Sequence, residues 1–176
     1  MSGNDVYLSE LDKFVRPFIG YPAWGARQGY GSFLTFEFGD PELKVEERNS
    51  EKRGLRRDAY VQGEWHVWIY CCVWRFSSHG HQIAWSEDPK DQIYRATGML
   101  DGQKLVSVHV NPSKGQSRFD FDLGGLLETW PVGDDLTEEQ WFIYSPHNVF
   151  TYRADGKYSL ETPDTRAEQE RWLPFT

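Results

Sequence analysis

The 176-residue sequence predicts an α+β fold: a predominantly antiparallel, strongly twisted sheet with an N-terminal helix, one central helix and a short C-terminal helix. Three observations predict it. Aromatic residues make up 16% of the chain (eight Trp, nine Tyr, eleven Phe), and rings are enriched in strands. Residues 103–161 alternate in short segments between turn signals, the pattern of an antiparallel meander. Helical spacing with end signals occurs at three places. At this length one domain, residues 1–176, accounts for the chain, and a core can form without disulfides or metals.

The first helix is placed at residues 5–18. Leu8, Leu11, Val15 and Phe18 recur at helical spacing, Asp5 caps the start, and Pro17 stops the helix near Phe14 to Arg16. Residues 20–31 carry Gly20, Gly25, Gly29, Gly31 and Pro22 and read as an ordered loop. Neither GxGxxG nor GxxxxGK occurs there, which removes the usual phosphate-cradle reading. Residues 32–38 form a strand with Leu34, Phe36 and Phe38 on one face and Phe33, Thr35 and Glu37 on the other. Residues 42–58 hold six basic and five acidic side chains, so they read as a charged, exposed loop or hairpin. Residues 64–76 (EWHVWIYCCVWRF) read as one central strand, apolar on both faces, so another layer is expected over each.

Residues 82–85 form a short strand. The central helix follows, with Asp88 as cap, Pro89 first, Ile93, Ala96 and Leu100 along its buried stripe and Gly102 at its stop. The meander strands fall near 103–110, 117–123, 126–130, 140–145, 149–153 and 157–161. Gly124-Gly125 and Asp155-Gly156 mark two-residue hairpins, and 145–148 (SPHN) a longer one. Residues 162–172 read as the last helix, with Thr162 as cap, Pro163 first, and Ala167, the Arg171 stem and Trp172 inward.

The net charge of −8 and a pI of about 5.1 argue against nucleic acid and anionic membranes as partners, since both need a basic face. There is no run of 18 apolar residues and no apolar signal segment at the start, and the two cysteines are adjacent, so a cytoplasmic protein with reduced thiols is expected. His66, Cys71, Cys72, His79 and His81 fall close together, but on an extended strand Cys71 and Cys72 face opposite ways and His66 lies roughly 20 Å from Cys72. Neither a metal site nor another cofactor is expected, since zinc ligands must converge within about 2.3 Å of one ion. Thiols buried among rings have raised pKa values and make poor nucleophiles. No GxSxG elbow occurs. One polar stripe remains. If the strands pair in register, Glu37, Ser107, His109, Arg118, Asp120 and Asp122 share a sheet face and can bind a polar ligand, a partner, or do acid–base work.

Several stretches, among them GYGSFLTFEFG, WHVWIYCCVWR, SEDPKDQIYRATGMLDGQKLVSV, SRFDFDLGGLLETWP and QWFIYSPHNVFTYRADGKY, resemble a group of small uncharacterised bacterial proteins. The resemblance covers roughly two thirds of the chain. It implies a bacterial, cytoplasmic α+β protein and carries over no activity and no site residues. The expected function is that of a non-enzymatic interaction protein, immunity- or antitoxin-like or a small assembly subunit, whose acidity steers it to a basic protein partner. The alternative is a small-polar-ligand binder or an enzyme using Glu37, His109, Arg118, Asp120 and Asp122.

Overall fold

The rings sort into two antiparallel sheets, each turning one set of alternate side chains inward. The computed structural model describes residues 9–175. Ser9 caps α1 (Glu10–Val15): its hydroxyl accepts from the Asp12 amide, and the Asp12 carboxylate accepts from the Ser9 amide. A 3-10 turn (Arg16–Phe18) holding Pro17 follows. The helix is thus shorter than 5–18; Asp5 and Leu8 lie outside the described residues.

In chain order the remaining elements are β1 (Trp24–Gln28), β2 (Leu34–Ser50), β3 (Gly54–Ile69), β4 (Val73–Ser78), β5 (His81–Trp85), α2 (Lys90–Leu100), β6 (Leu105–Asn111), β7 (Gln116–Phe121), β8 (Gly125–Trp130), β9 (Glu139–Tyr144), β10 (Val149–Arg153), β11 (Lys157–Glu161) and β12 (Leu173–Pro174). One sheet has the order β1-β2-β3-β9-β10-β11-β12, the other β5-β4-β8-β7-β6. Residues 20–31 therefore contain an edge strand where a loop was expected. Residues 42–58 lie in a two-stranded arm formed by the distal halves of β2 and β3.

Two sheets stand where one was expected. Residues 64–76 are two strands in different sheets, broken at Tyr70–Cys72, where the Cys72 amide turns back to the Tyr70 carbonyl. The inward positions are odd before the break (Val67, Ile69) and even after it (Cys72, Trp74, Phe76), so the corner absorbs one residue. The meander is split likewise: β6 to β8 complete the five-stranded sheet and β9 to β11 return to the other. Residues 162–172 hold only a 3-10 turn (Ala167–Gln169) before β12. At α2, Pro89 takes the cap position, while the Asp88 carboxylate accepts from the Trp85 amide. No helix among the described residues is long and apolar enough to cross a membrane.

The inner faces meet through rings. Phe36 packs edge-on against Phe119 and Phe121, and Phe119 edge-on against Trp141 at 5.5 Å. Each fully buried ring contributes about 1.5–3 kcal/mol of transfer free energy. Leu11, Val15 and Phe18 join this core from α1 and the turn after it, and Ile93, Ala96 and Leu100 from α2. A hydrogen-bond relay runs through it. Trp141 Nε1 donates to Ser117 Oγ (2.8 Å), which pairs with Thr129 Oγ1; Thr129 donates to Gln140 Oε1, and Gln140 Nε2 to the Gly115 carbonyl. All four side chains are buried. At the same end Gly156 (φ +77) lies against the Pro112 carbonyl, where a Cβ would collide.

Removing one member of the relay leaves a buried donor without an acceptor. Ser117→Ala is expected to lower unfolding free energy by about 1–3 kcal/mol in urea titrations at unchanged slope.

Candidate functional site

On its outer face the seven-stranded sheet carries polar and aromatic side chains in register rows. Glu37 of β2 stands opposite His66 of β3, which stands opposite Tyr144 of β9; one row along, Arg27, Thr35, Trp68 and Phe142 line up across β1, β2, β3 and β9. Phe33 and Tyr70 follow, with ring centroids 4.6 Å apart. Trp68 touches Phe33, Tyr70 and Phe142 at 4.8–6.2 Å, making one continuous aromatic wall. These rings are half-buried. The expected covering layer over this side of β3 is absent among the described residues; the rings shield one another and keep their polar edges near water.

At the end of the wall sits a buried ion-pairing group. Glu37 is 0% exposed. One carboxylate oxygen pairs with His66 Nδ1 at 2.7 Å and the other accepts from the Gly63 amide at 3.1 Å. A register shift between Phe38 and Pro41 brings that amide into reach, and a Cβ on Gly63 would collide with the Phe38 carbonyl and crowd Glu37, so the position favours glycine. A buried carboxylate is tolerated only when so partnered. This contact engages His66 Nδ1 and leaves the second ring nitrogen, Nε2, outside it. In this arrangement the pair can orient a ligand or take a proton from one.

A cavity of about 420 Å³ opens beside this pair, lined among others by Arg27, Phe33, Thr35, Glu37, His66 and Trp68. Two of these groups are left open. The Thr35 hydroxyl is buried without a hydrogen-bond partner, as Ser86's is elsewhere. Arg27, exposed at the rim, makes no ion pair among the described residues.

The structure separates the stripe predicted from sequence. Glu37 belongs to the seven-stranded sheet, whereas His109, Arg118 and Asp120 lie on the outer face of the five-stranded one and Asp122 just beyond β7. There Arg118 grips Asp120 through three hydrogen bonds and holds its carboxyl below the usual range, with Ser107 adding a fourth bond. Asp122 accepts from the Lys104 amide, fixing a turn. His109 pairs in register with Arg118 and, with it, edges a shallow hollow of about 210 Å³. Glu37's real neighbours, His66, Thr35, Arg27 and Trp68, come from register alone and carry no local motif.

Both thiols are pushed up by burial, Cys72 strongly so. No group of three or more His, Cys, Asp or Glu side chains that could hold a metal ion occurs among the described residues. Glu139 and Glu170 form an acidic corner near Glu138 and Glu161, partly offset by Arg153. Burial, then neighbouring carboxylates, raises both above the usual glutamate range. Comparison with models of known families, with curated proteins and with solved structures finds no match.

Two outcomes follow from these environments. Thr35→Val removes a hydroxyl that is buried without a partner, and is expected to raise unfolding free energy by about 1 kcal/mol in denaturant titrations. Glu170 binds its proton more tightly folded than unfolded, so its favourable contribution holds at acid pH and is lost as pH rises through its folded pKa. Glu170→Gln is expected to raise Tm at pH 7, and the gain to vanish once pH falls below the ordinary glutamate range.

Proposed function

We propose that the outer face of the seven-stranded sheet binds a small ring-bearing organic anion. The ring lies along Phe33 and Trp68, the anionic group is held by Arg27 at the rim, and a polar substituent meets the His66 imidazole. The observation that carries this reading is the cavity that sets Arg27, which makes no ion pair among the described residues, and the Glu37–His66 pair beside the Phe33–Trp68 rings. Arg27, Thr35 and Trp68 stand in one register row, so cation, hydroxyl and ring face are spaced across adjacent strands. Ligand pockets commonly combine apolar walls with a few converging polar groups. Partner binding through acidity rests on net charge alone, whereas the pocket supplies named groups.

Benzoate, salicylate and indole-3-acetate are suitable probes, followed by ¹H–¹⁵N NMR of the Trp68 indole and the His66 imidazole. At least one is expected to shift both signals saturably, with Arg27→Ala weakening it by about tenfold or more through loss of a charged hydrogen bond. If none of the three shifts either signal at millimolar concentration, or if Arg27→Ala binds as well as the parent, the reading fails.

A further inference from the structure

Beyond the sheet proper, β2 and β3 run on as a two-stranded arm. It pairs from Pro41↔Gly63 to Ser50↔Gly54, ten positions or about 30 Å of strand. An isolated two-stranded hairpin is marginal in water, and burial on one face is what usually secures it. The faces of this arm differ. One carries Glu42, Lys44, Glu46, Arg48, Arg56, Asp58 and Tyr60, laced by the Tyr60–Glu46, Arg48–Glu46 and Arg48–Asp58 contacts. The other continues the sheet's inner face past the core, with Leu43 paired to Val61, Val45 to Ala59, then the Glu47–Arg57 ion pair, and Leu55 opposite Asn49 near the tip. Leu43 is 65% exposed, Leu55 57% and Val45 56%.

The charge along the arm is graded. Residues 48–57, at the tip, hold five basic side chains and one acidic, a net +4. The base, residues 40–47 and 58–63, holds five acidic side chains and one basic, a net −4. The arm as a whole is neutral, so the net charge of −8 sits on the rest of the chain. A second acidic copy is therefore repelled by the body and not by the arm.

From this pattern we infer that the apolar face of the arm docks on the same face of a second copy, the two arms antiparallel about a two-fold axis. Such an arrangement sets each +4 tip over the other's −4 base and lays Leu55 of one copy across Leu43 and Val61 of the other. A surface that is complementary to itself when reversed end for end is what a two-fold contact requires. An arm two strands wide keeps its rim charges within about one Debye length of the partner at physiological salt.

Sedimentation velocity on the full chain tests this. The wild type is expected to sediment as a dimer at micromolar concentration, and Leu43→Lys with Val45→Lys as a monomer; Lys44→Ser, on the other face, should stay dimeric. A tip-neutralised variant (Arg53→Glu, Arg56→Glu) and a base-neutralised variant (Glu42→Lys, Glu46→Lys) should each be monomeric alone and dimerise when mixed, the intact −4 base of one meeting the intact +4 tip of the other. A monomeric wild type, a dimer that survives Leu43→Lys with Val45→Lys, or a failure of the two neutralised variants to associate overturns the inference. Leu43 and Val45 lie outside the lining of the ligand cavity, so the outcome of their replacement is separable from ligand binding.

Discussion

The fold rests on the meeting of two inner faces built from rings. Phe36, Phe119 and Trp141 interlock across the gap, and the indole of Trp141 starts a relay through Ser117 and Thr129 to Gln140 and the Gly115 carbonyl. Rings bring large apolar area together with polar edges that must be satisfied, and a satisfied buried network constrains how the sheets register. Here the members of the relay come from β7, β8 and β9 and the turn before β7, so it ties the sheets together where β9 re-enters the larger one. Everything on the outer faces, the cavity included, is positioned by that contact.

The candidate site follows from what the packing leaves over. Once Phe36, Phe38, Val67 and Ile69 turn inward, Thr35, Glu37, His66 and Trp68 must turn outward. Glu37 is nonetheless fully buried, because β1 and β3 flank it and His66 lies against its carboxylate. The register shift near Gly39 gives that carboxylate its second partner, the Gly63 amide. A local irregularity in the ladder thus converts an ordinary outward position into a fixed polar anchor beside an aromatic wall.

Much of the secondary structure was legible, because alternation and turn residues act locally. The strands around Phe36 and through 140–161, and the buried stripe of α2, follow directly from period and punctuation. The division into two sheets was hidden at residues 64–76. Both sets of alternate positions there are apolar, so a one-residue change of phase at Cys71–Cys72 leaves no trace in the pattern. The last segment carries Thr162 and Pro163 as a helix start, yet Leu173 and Pro174 are taken up by pairing with β11, a contact no local signal announces. At the site, Glu37 stood out as a charge in an apolar strand, but its partner His66 lies 29 residues away. Counting outward from the arm's turn brings position 37 opposite 67; only the extra residue near Gly39 shifts the pairing to 66. Distance along the chain, and one irregular residue, kept the pair out of view.

The interruption of the larger sheet has a consequence for how the chain is made. β3 finds its second neighbour only in β9, some 75 residues later, after the entire five-stranded sheet has been threaded in between. While the ribosome is still delivering that insert, the Trp65-to-Ile69 edge stands with its backbone groups unpaired and its rings in water. Such an edge is a template for the wrong strand, and contacts this remote form slowly. Nascent chains halted before residue 139 should therefore be the form of this protein most prone to aggregate and most dependent on chaperones.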